Sequence, residues 1–242
     1  MSDVLTLTLR GVRVATPTTR ILEADLGDAP FHFRAGQAVV IGLHGHPVRQ
    51  PYSIACAPAD VRRTRRLEFL LAVNGSGREG TPLAGLRPGA KLDVEGPSGS
   101  FVLPDALNAR PLLFIGGGTG IAPLRSMIRE ALARQHSAPV TLIYSARRTT
   151  EFSYLDEFRR LVRQGRLQLL LTASRLAGPR WRGERGRITR TLLEQGVPYR
   201  DLGGRDVEAF LCGPPTFVSD LAQIVSQLGV RAARIHTERW HD

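Results

Sequence analysis

The first 105 residues contain short apolar runs separated by glycine- and proline-containing turns. In the N-terminal run, MSDVLTLTLRGVRV, polar and apolar residues alternate, which is the period that a half-buried strand shows. Strand-like segments of this half are Leu5–Val14, Ala38–Leu43, Tyr52–Ala55, Leu67–Val73 and Lys91–Val94. Strands at this spacing predict a small antiparallel β-barrel. Only Pro82–Leu86 is predicted to form a short helix here.

The second half has a different pattern, in which buried strands alternate with amphipathic helices. The strand-like segments are Pro111–Ile115, Val140–Tyr144, Leu167–Thr172, Ala209–Cys212 and Arg234–Thr237. Two sets of apolar residues lie at helical spacing: Leu124, Met127, Ile128, Ala131 and Leu132, then Phe217, Leu221, Ile224, Val225 and Leu228. This alternation predicts a parallel sheet with helices on both faces.

The two patterns predict a two-domain protein. The 242 residues, 42% of them hydrophobic, are enough for two domains that each bury a core. We place the boundary near Asp105, after a stretch rich in proline and glycine. The prediction is an N-terminal antiparallel β-barrel at residues 1–105 and a C-terminal α/β parallel-sheet domain at residues 106–242.

Charge is distributed unevenly between the halves. The net charge is +11, with 12 basic and 10 acidic residues in 1–105 but 21 basic and 12 acidic residues in 106–242. The second half is therefore expected to meet an anion: a phosphorylated cofactor, an acidic protein or nucleic acid. Arginine-rich coding composition is an equally simple explanation of the bias. No nucleic-acid-binding module accompanies the cluster of Arg62, Arg63, Arg65 and Arg66, so we do not expect nucleic acid as a partner.

Targeting signals and metal-binding patterns are not seen in the sequence. No apolar run approaches the roughly 18 residues of a membrane span, and the N-terminus does not resemble a signal peptide. We therefore expect a cytoplasmic protein that has no membrane partner. Cys56 and Cys212 are the only cysteines, whereas an iron–sulfur cluster needs about four thiolates. Any redox centre is therefore expected to be organic or borrowed, and no metal site is predicted.

A glycine-rich turn is the strongest local signal. In PLLFIGGGTGIAPLRSMIREAL, a buried strand runs into Gly116–Gly120, and Pro123 lies in the first turn of a helix. Glycines let backbone N–H groups approach a pyrophosphate, and a helix N-terminus adds a partial positive charge. The common dinucleotide fingerprint is not matched, because its third glycine falls on Ile121. The alternative is a tight strand-to-helix connection that binds nothing.

The segment VRQPYSIACAP places Tyr52 beside Ser53 in a predicted strand. In a regular strand these side chains point to opposite faces. A flavin requires a hydrogen-bonding group near N5 and a flat neighbour for its ring, which Ser53 and Tyr52 could supply. The alternative is a Tyr–Ser pair in an unremarkable strand.

Taken together, the motifs resemble those of the ferredoxin–NADP reductase family over nearly the whole chain. They are PYSIACAP, GTPLAGLRPGAKLDVEGPSGSF, GGGTGIAP, TASR, CGPP and RIHTERW, in the order and spacing of that family. The resemblance implies a flavin-binding barrel and a sheet domain that binds the nicotinamide dinucleotide. It also implies hydride transfer between nicotinamide and flavin N5, and single-electron exchange with a partner.

The resemblance also implies roles for individual residues. Ser53 corresponds to the serine beside flavin N5, and Tyr52 to the tyrosine that packs on the ring. Cys212 corresponds to the cysteine near the nicotinamide, although a buried free cysteine is usually only a small hydrophobe. Glu238 corresponds to the near-terminal glutamate. Trp240 corresponds to the terminal aromatic that covers the flavin and yields to the nicotinamide, and packing at the domain seam is the alternative.

Two departures from the family pattern affect the flavin phosphates. Gln50 occupies the position of an arginine that pairs with a phosphate, and Arg49 stands one residue earlier. A neutral glutamine cannot offset the phosphate charge, so either Arg49 reaches around to the phosphate or the phosphate is held more loosely. The family's Ser/Thr in the pyrophosphate segment falls on Gly80, with Thr81 one place later. FAD is predicted over FMN because the segment at residues 80–86 is present. The remaining predicted cofactor contacts are Pro51, Leu71, Val73, Gly118, Thr119, Gly120 and Gly213.

Arginines near the ends of two strands favour NADP(H) over NAD(H). Ser174 and Arg175 end one strand, Arg147 ends another, and Arg187 lies in RGRI, where similar reductases also have arginine. Three guanidinium groups could surround a 2′-phosphate. The alternative is a solvated arginine-rich loop.

The predicted activity is electron transfer between NADP(H), FAD and an acidic ferredoxin or flavodoxin, by an enzyme that is monomeric. A second possibility keeps the chemistry and makes the chain the reductase component of a monooxygenase or molybdenum enzyme. A third is a flavin-binding sensor without turnover, against which the joint presence of Ser53, Cys212, Glu238 and Trp240 argues.

Overall fold

The computed structural model describes residues 4–73, 83, 85–107, 109–175, 178, 181–196 and 206–240. The predicted contacts Gly80 and Thr81 lie outside these residues. No helix within the described ranges is both long enough and apolar enough to cross a membrane.

The N-terminal half forms a six-stranded antiparallel sheet that closes on itself. Its strands are β1 (Val4–Thr16), β2 (Thr19–Asp25), β3 (Ala38–Leu43), β4 (Arg49–Ser53), β5 (Arg66–Ala72) and β6 (Lys91–Ser98). Their order is β4-β3-β6-β1-β2-β5. An antiparallel bridge between Ile54 and Phe69 joins the chain just after β4 to β5, and the Ala55 N–H donates to the Glu68 carbonyl at 2.8 Å. The predicted antiparallel barrel is therefore confirmed.

Two elements of this half were not predicted. Strand β2 pairs with both β1 and β5. Helix α1 (Pro58–Thr64) contradicts the expectation that Pro82–Leu86 is the only helix of this half. It starts at a proline and is stabilised by Asp60, which accepts the Ala57 N–H at 3.0 Å. The helix has seven residues and buries only Val61, so it leaves no amphipathic pattern. Part of Pro82–Leu86 lies outside the described residues, and Leu83 and Gly85 lie in turns.

The C-terminal half is the predicted parallel sheet covered by helices. Its strands are β7 (Leu112–Gly117), β8 (Val140–Ala146), β9 (Gln168–Ala173), β10 (Glu184–Arg185), β11 (Glu208–Gly213) and β12 (Ile235–Arg239). The helices are α2 (Ile121–Ala133), α3 (Leu155–Arg163), α4 (Arg190–Gly196) and α5 (Pro215–Gln227), with 3₁₀ turns at Gly118–Gly120 and Ala232–Arg234. The strand order is β10-β9-β8-β7-β11-β12. Sequence neighbours β7 and β8 pair, whereas β11 pairs with the opposite side of β7, so the order reverses at β7. Such a reversal opens a crevice at the carboxyl ends of the strands, where ligands bind in open α/β sheets.

Both predicted helical faces pack as expected. The apolar face of α2 is buried together with Leu112 and Phe114 of β7 on one side of the sheet. The apolar face of α5 packs with Leu113 and Ile115 on the other side. Alternation along β7 therefore supplies both cores.

A group of charged side chains, the seam cluster, joins the two halves, with Arg125 buried and the other members partly buried. It consists of Arg125 and Arg129 on α2, Asp60 on α1, Glu68 on β5 and Glu157 on α3. Arg125 also donates to the Ala55 carbonyl of the barrel at 2.8 Å. The connection that contains the predicted boundary, Asp105, lies between β6 and β7, and the boundary itself remains a prediction.

Candidate active site

A cleft of about 570 Å³ lies between the barrel and the carboxyl ends of the parallel strands. The barrel contributes Thr18, Thr19, Pro51, Tyr52, Ser53, Leu70 and Ala72. The sheet domain contributes Gly117, Gly118, Thr119, Gly120, Ala122, Ser145, Ala146, Arg147, Arg148, Glu151, Ser174, Arg175, Gly213, Pro214, Phe217 and Trp240. The reversal point at β7 is therefore in the middle of this cleft.

The glycine-rich turn forms the floor of the cleft, as the sequence predicts for Gly118, Thr119 and Gly120. Gly118 has a φ of +55°, which suits glycine, and a Cβ on Gly120 would lie 2.4 Å from the Cys212 carbonyl oxygen. The buried Tyr144 hydroxyl donates to the Gly118 carbonyl at 3.1 Å. The turn has no side chains at Gly118 and Gly120, and it leads directly into α2. The arrangement suits the close approach of a pyrophosphate.

The four predicted catalytic residues come together at one end of the cleft. Parallel pairing of β11 with β12 sets Cys212 opposite Glu238. The Trp240 indole N–H donates to Glu238 Oε2 at 3.0 Å, and Cys212 Sγ lies 3.8 Å from the same oxygen. The Ser53 hydroxyl, which comes from the barrel, lies near this carboxyl group and acts to lower its pKa. The Glu238 carboxyl group is thus surrounded by the hydroxyl of Ser53, the thiol of Cys212 and the indole of Trp240.

Burial changes the proton affinity of this group. It raises the pKa of Glu238 to about 7, although hydrogen bonds from Trp240, Cys212 and Ser53 act in the opposite direction. Burial, and then the charge of Glu238, raise the pKa of the Cys212 thiol well above its ordinary value. Cys212 therefore stays a protonated thiol at neutral pH. Glu238 can take up or release a proton there, as a general acid or base requires.

Of the four residues before Ser53, two line the cleft and two do not. Pro51 and Tyr52 line the cleft, and the Tyr52 hydroxyl donates to Gln50 Oε1 at 2.9 Å. Gln50 and Arg49 are not part of the cleft wall. Arg49 instead lies beside Asp93 at 3.4 Å and Glu95 at 3.7 Å. Arg49 is thus paired with carboxylates of the barrel and lies outside the cleft wall.

The predicted cofactor contacts on and after β5, Leu71 and Val73, are not part of the cleft wall. Leu71 is fully buried in the barrel core, whereas the side chains on either side of it, Leu70 and Ala72, line the cleft. Successive strand residues point to opposite faces, so Leu71 faces the barrel core while its two neighbours face the cleft. Val73 is not in the wall either, and its N–H donates to the Thr18 carbonyl at 3.0 Å.

The other end of the cleft is basic. Arg147 and Arg148 follow β8, and Ser174 and Arg175 follow β9. The Arg175 N–H donates to the Arg147 carbonyl at 2.8 Å, which keeps the two chain segments adjacent beyond the sheet. The predicted Arg187 is exposed and is not part of the cleft wall. The structure thus brings Arg147, Ser174 and Arg175 together but leaves Arg187 outside.

Several wall residues were missed by sequence reasoning. Arg148 and Pro214 directly follow predicted residues, so their neighbours were a signal. Thr18 and Thr19 had none, because barrel folding alone brings them to the cleft. In the described parts of the chain, no group of three or more His, Cys, Asp or Glu side chains is placed to hold a metal ion.

Comparisons with known proteins agree with this geometry. Residues 114–223 match the family model described as "Oxidoreductase NAD-binding domain". The chain is 36% identical over 245 residues to "Ferredoxin--NADP reductase B" of Sorangium cellulosum, covering 96% of each chain. It is 32% identical to "Aromatic O-demethylase, reductase subunit" of Amycolatopsis sp., covering 99% of this chain and 70% of the relative.

Solved structures share the fold. A crystal structure of an Amycolatopsis cytochrome P450 reductase matches with a TM-score of 0.81 and 27% identity, covering 99% of this chain and 71% of that one. A ferredoxin NADP⁺ reductase from Neisseria gonorrhoeae, with bound FAD and NADP, matches with a TM-score of 0.79 over 99% of both chains. At 21% identity, the second match speaks for the fold alone.

Proposed function

The chain belongs to the ferredoxin–NADP reductase family, and on this premise we propose that it exchanges electrons between NADP(H) and a one-electron carrier protein through FAD. It is a flavin-dependent oxidoreductase that uses a nicotinamide dinucleotide and an electron-transfer partner. The observation that carries the proposal is the convergence of Ser53, Cys212, Glu238 and Trp240 beside the glycine-rich turn.

The residues of the cleft fit a flavin on the barrel side and a dinucleotide on the sheet side. Tyr52 and Trp240 provide flat surfaces for a ring, and Ser53 provides a hydroxyl. A bound flavin would supply the ability to accept two electrons together and pass them on singly. The segment at residues 80–86 supports FAD over FMN, and Gln50 leaves one expected phosphate contact without positive charge.

The chain's own residues then have separate tasks. Ser53 is proposed to orient the flavin edge through its hydroxyl, and Glu238 to hold or release the proton that accompanies reduction. Cys212, as a neutral thiol, is proposed to pack beside the nicotinamide position. Trp240 is proposed to cover the flavin and to move aside for the nicotinamide. Its backbone N–H donates to Gly213 O at 3.1 Å, so this motion is expected to involve the side chain.

The basic end of the cleft supports NADP(H) as the preferred dinucleotide. Arg147 and Arg175 lie in its wall beside Ser174, and guanidinium groups suit a phosphate dianion. The excess of basic residues in the second half supports an acidic carrier such as a ferredoxin or flavodoxin. We propose that the enzyme works in the cytoplasm as a monomer.

One relative supports a second candidate. The similarity to a reductase subunit of an aromatic O-demethylase is consistent with service to a monooxygenase rather than to a free ferredoxin. The chemistry within the cleft would be the same, so only the acceptor differs.

The decisive experiment is an anaerobic titration of the purified protein with NADPH and, separately, NADH while the visible spectrum is recorded. We expect a yellow protein whose flavin band bleaches faster with NADPH. Extraction and mass analysis of the flavin distinguish FAD from FMN. A colourless protein that binds neither flavin would overturn the proposal. Reduction of an added acidic ferredoxin should slow as salt is raised, because salt screens the attraction between opposite charges.

A further inference from the structure

We propose that Arg148 and Arg175 together bind the 2′-phosphate of the dinucleotide and that Glu151 holds Arg148 in position. This inference rests on the proposed preference for NADP(H). It assigns a specificity-determining role to two residues that the sequence motifs did not single out. The inference also makes Arg148, and not Arg187, the third cationic residue beside Arg147 and Arg175, because Arg187 is not part of the cleft wall.

The chain turns back on itself directly after β8, and this turn brings Arg148 and Glu151 to the cleft wall. The Glu151 N–H donates to the Arg148 carbonyl at 3.1 Å, and the Arg148 N–H donates to Glu151 Oε2 at 3.2 Å. These reciprocal bonds close the turn. Both residues line the cleft with Arg147 and Arg175. Without the turn, the alternation of a strand would send Arg147 and Arg148 to opposite sides.

In the described part of the chain, the absence of a carboxylate partner separates these two arginines from those of the seam cluster. In the seam cluster, Arg125 and Arg129 are each held by carboxylates at 2.8 Å or less. Among the described residues, neither Arg148 nor Arg175 has a carboxylate within ion-pairing distance of its guanidinium group. A cation without a carboxylate partner loses no existing ion pair when it binds an anion. Arg148 and Arg175 can therefore direct their full charge to a phosphate.

Glu151 is the only carboxylate in the cleft wall as described. Its contact is with a backbone N–H and not with a guanidinium group, so it holds the turn while Arg148 stays available. Its negative charge also opposes a phosphate at this end. A glutamine at this position would keep the hydrogen-bond acceptor and remove the charge, whereas an alanine would remove both.

The test uses flavin-loaded protein and two probes, 2′,5′-ADP and 5′-ADP, which differ in the 2′-phosphate; affinity is measured by isothermal titration calorimetry. Arg148→Ala is expected to weaken 2′,5′-ADP about tenfold, the lower end for a charge-assisted contact, and to change 5′-ADP less than about twofold. Arg148→Lys should fall between, because it keeps the charge but loses the fork. The control is Arg163→Ala, an exposed arginine on α3 outside the cleft, which should leave both affinities unchanged.

The outcomes separate this inference from the function on which it rests. If wild type binds both probes equally, the NADP preference fails and the inference with it. If wild type prefers 2′,5′-ADP but Arg187→Ala removes that preference and Arg148→Ala does not, only the assignment of Arg148 is overturned. For Glu151, we expect Glu151→Gln to bind 2′,5′-ADP at least as tightly as wild type and about threefold more tightly than Glu151→Ala, since one hydrogen bond distinguishes the variants. Equal affinities would remove its positioning role.

Discussion

Replacement of Arg125 by alanine should loosen the seam between barrel and sheet domain. The Arg125 side chain is 7% exposed. It donates to Glu157 and Glu68, each at 2.8 Å, and to the Ala55 carbonyl at 2.8 Å, while its guanidinium carbon lies 4.1 Å from the centre of the Tyr154 ring. Although burial opposes it, the nearby Glu68 and Glu157 raise the pKa of Arg125. The charged form is therefore what the folded protein contains.

The size of the effect follows from what remains after the side chain is removed. Breaking a buried ion pair by deleting one partner costs about 3–5 kcal/mol. Glu157 keeps a contact with Arg129 at 2.7 Å, and Glu68 keeps a longer one with Arg13 at 3.4 Å. We therefore expect the lower end, about 3 kcal/mol. For a chain of this length, that loss lowers the melting temperature by about 6–12 °C.

The measurement is thermal unfolding of the flavin-loaded protein, followed by circular dichroism and by flavin fluorescence. Arg190→Ala is the matched control, because Arg190 pairs with Glu194 at 2.9 Å on an exposed helix face, where such a pair contributes about 0.3–0.5 kcal/mol. Arg125→Met separates charge from packing, because it keeps most of the apolar stem. If Arg125→Ala melts within about 2 °C of Arg190→Ala, a shift too small for a buried ion pair in a chain of this length, the seam cluster does not stabilise the domain interface and the reasoning is wrong.

Four further changes test the active site. Ser53→Ala should retain flavin, but the activation free energy of flavin reduction by NADPH should rise by about 3 kcal/mol, which is typical of a lost positioned donor. An unchanged stopped-flow rate would show that Ser53 does not contact the reacting edge of the flavin. Arg175→Ala should lower kcat/KM for NADPH about tenfold and leave NADH nearly unchanged, whereas equal losses would contradict its contact with the 2′-phosphate. Trp240→Ala should tighten NADP⁺ binding, because the ligand no longer competes with the ring; if titration of the oxidised protein gives the same affinity for wild type and variant, Trp240 does not cover the nicotinamide position. The pKa of Glu238 is raised to about 7 in the folded protein, whereas the unfolded chain has the ordinary value of about 4.5. The proton on Glu238 therefore stabilises the fold fully below about pH 4.5, and this stabilisation is lost as the pH rises through 7. The melting temperature of wild type should therefore fall across this range relative to Glu238→Gln, and parallel profiles would argue against a raised pKa.

Local patterns were sufficient for the elements whose side chains repeat with a clear period. The apolar faces of α2 and α5 and the strands of both sheets other than β2 and β10 follow from such periods, and the glycine-rich turn follows from Gly118 and Gly120. Short elements escaped because they bury little. Helix α1 buries only Val61, so nothing periodic identifies it. The side of β5 that faces the cleft could not be read from the sequence, because the three consecutive apolar residues Leu70, Leu71 and Ala72 do not reveal which face is the barrel core.

Motifs pointed to several residues that the structure brings together in the cleft, but not to the forces among them. Arg125 lies in an ordinary helical segment of the sequence, and only the approach of α1, β5 and α3 makes it a buried cation. The pKa of Glu238 likewise depends on burial that arises when β12 pairs with β11. Burial and pKa values depend on contacts between distant segments of the chain, and these contacts cannot be read from the composition of any one segment.

The predicted catalytic residues Ser53, Cys212, Glu238 and Trp240 are connected to the seam cluster through the chain after Ser53 and through helix α2. Ser53 ends β4, and the chain then makes the Ile54–Phe69 bridge that closes the barrel. The next carbonyl, that of Ala55, is held by Arg125 of α2, and α2 begins where the glycine-rich turn ends. The same helix therefore fixes the barrel strand that carries Ser53 and supports the floor of the dinucleotide cleft. Because Ser53 reaches Glu238 across this seam, a loss of Arg125 should weaken their contact and alter the pH dependence of flavin reduction, even though Arg125 is absent from the cleft wall.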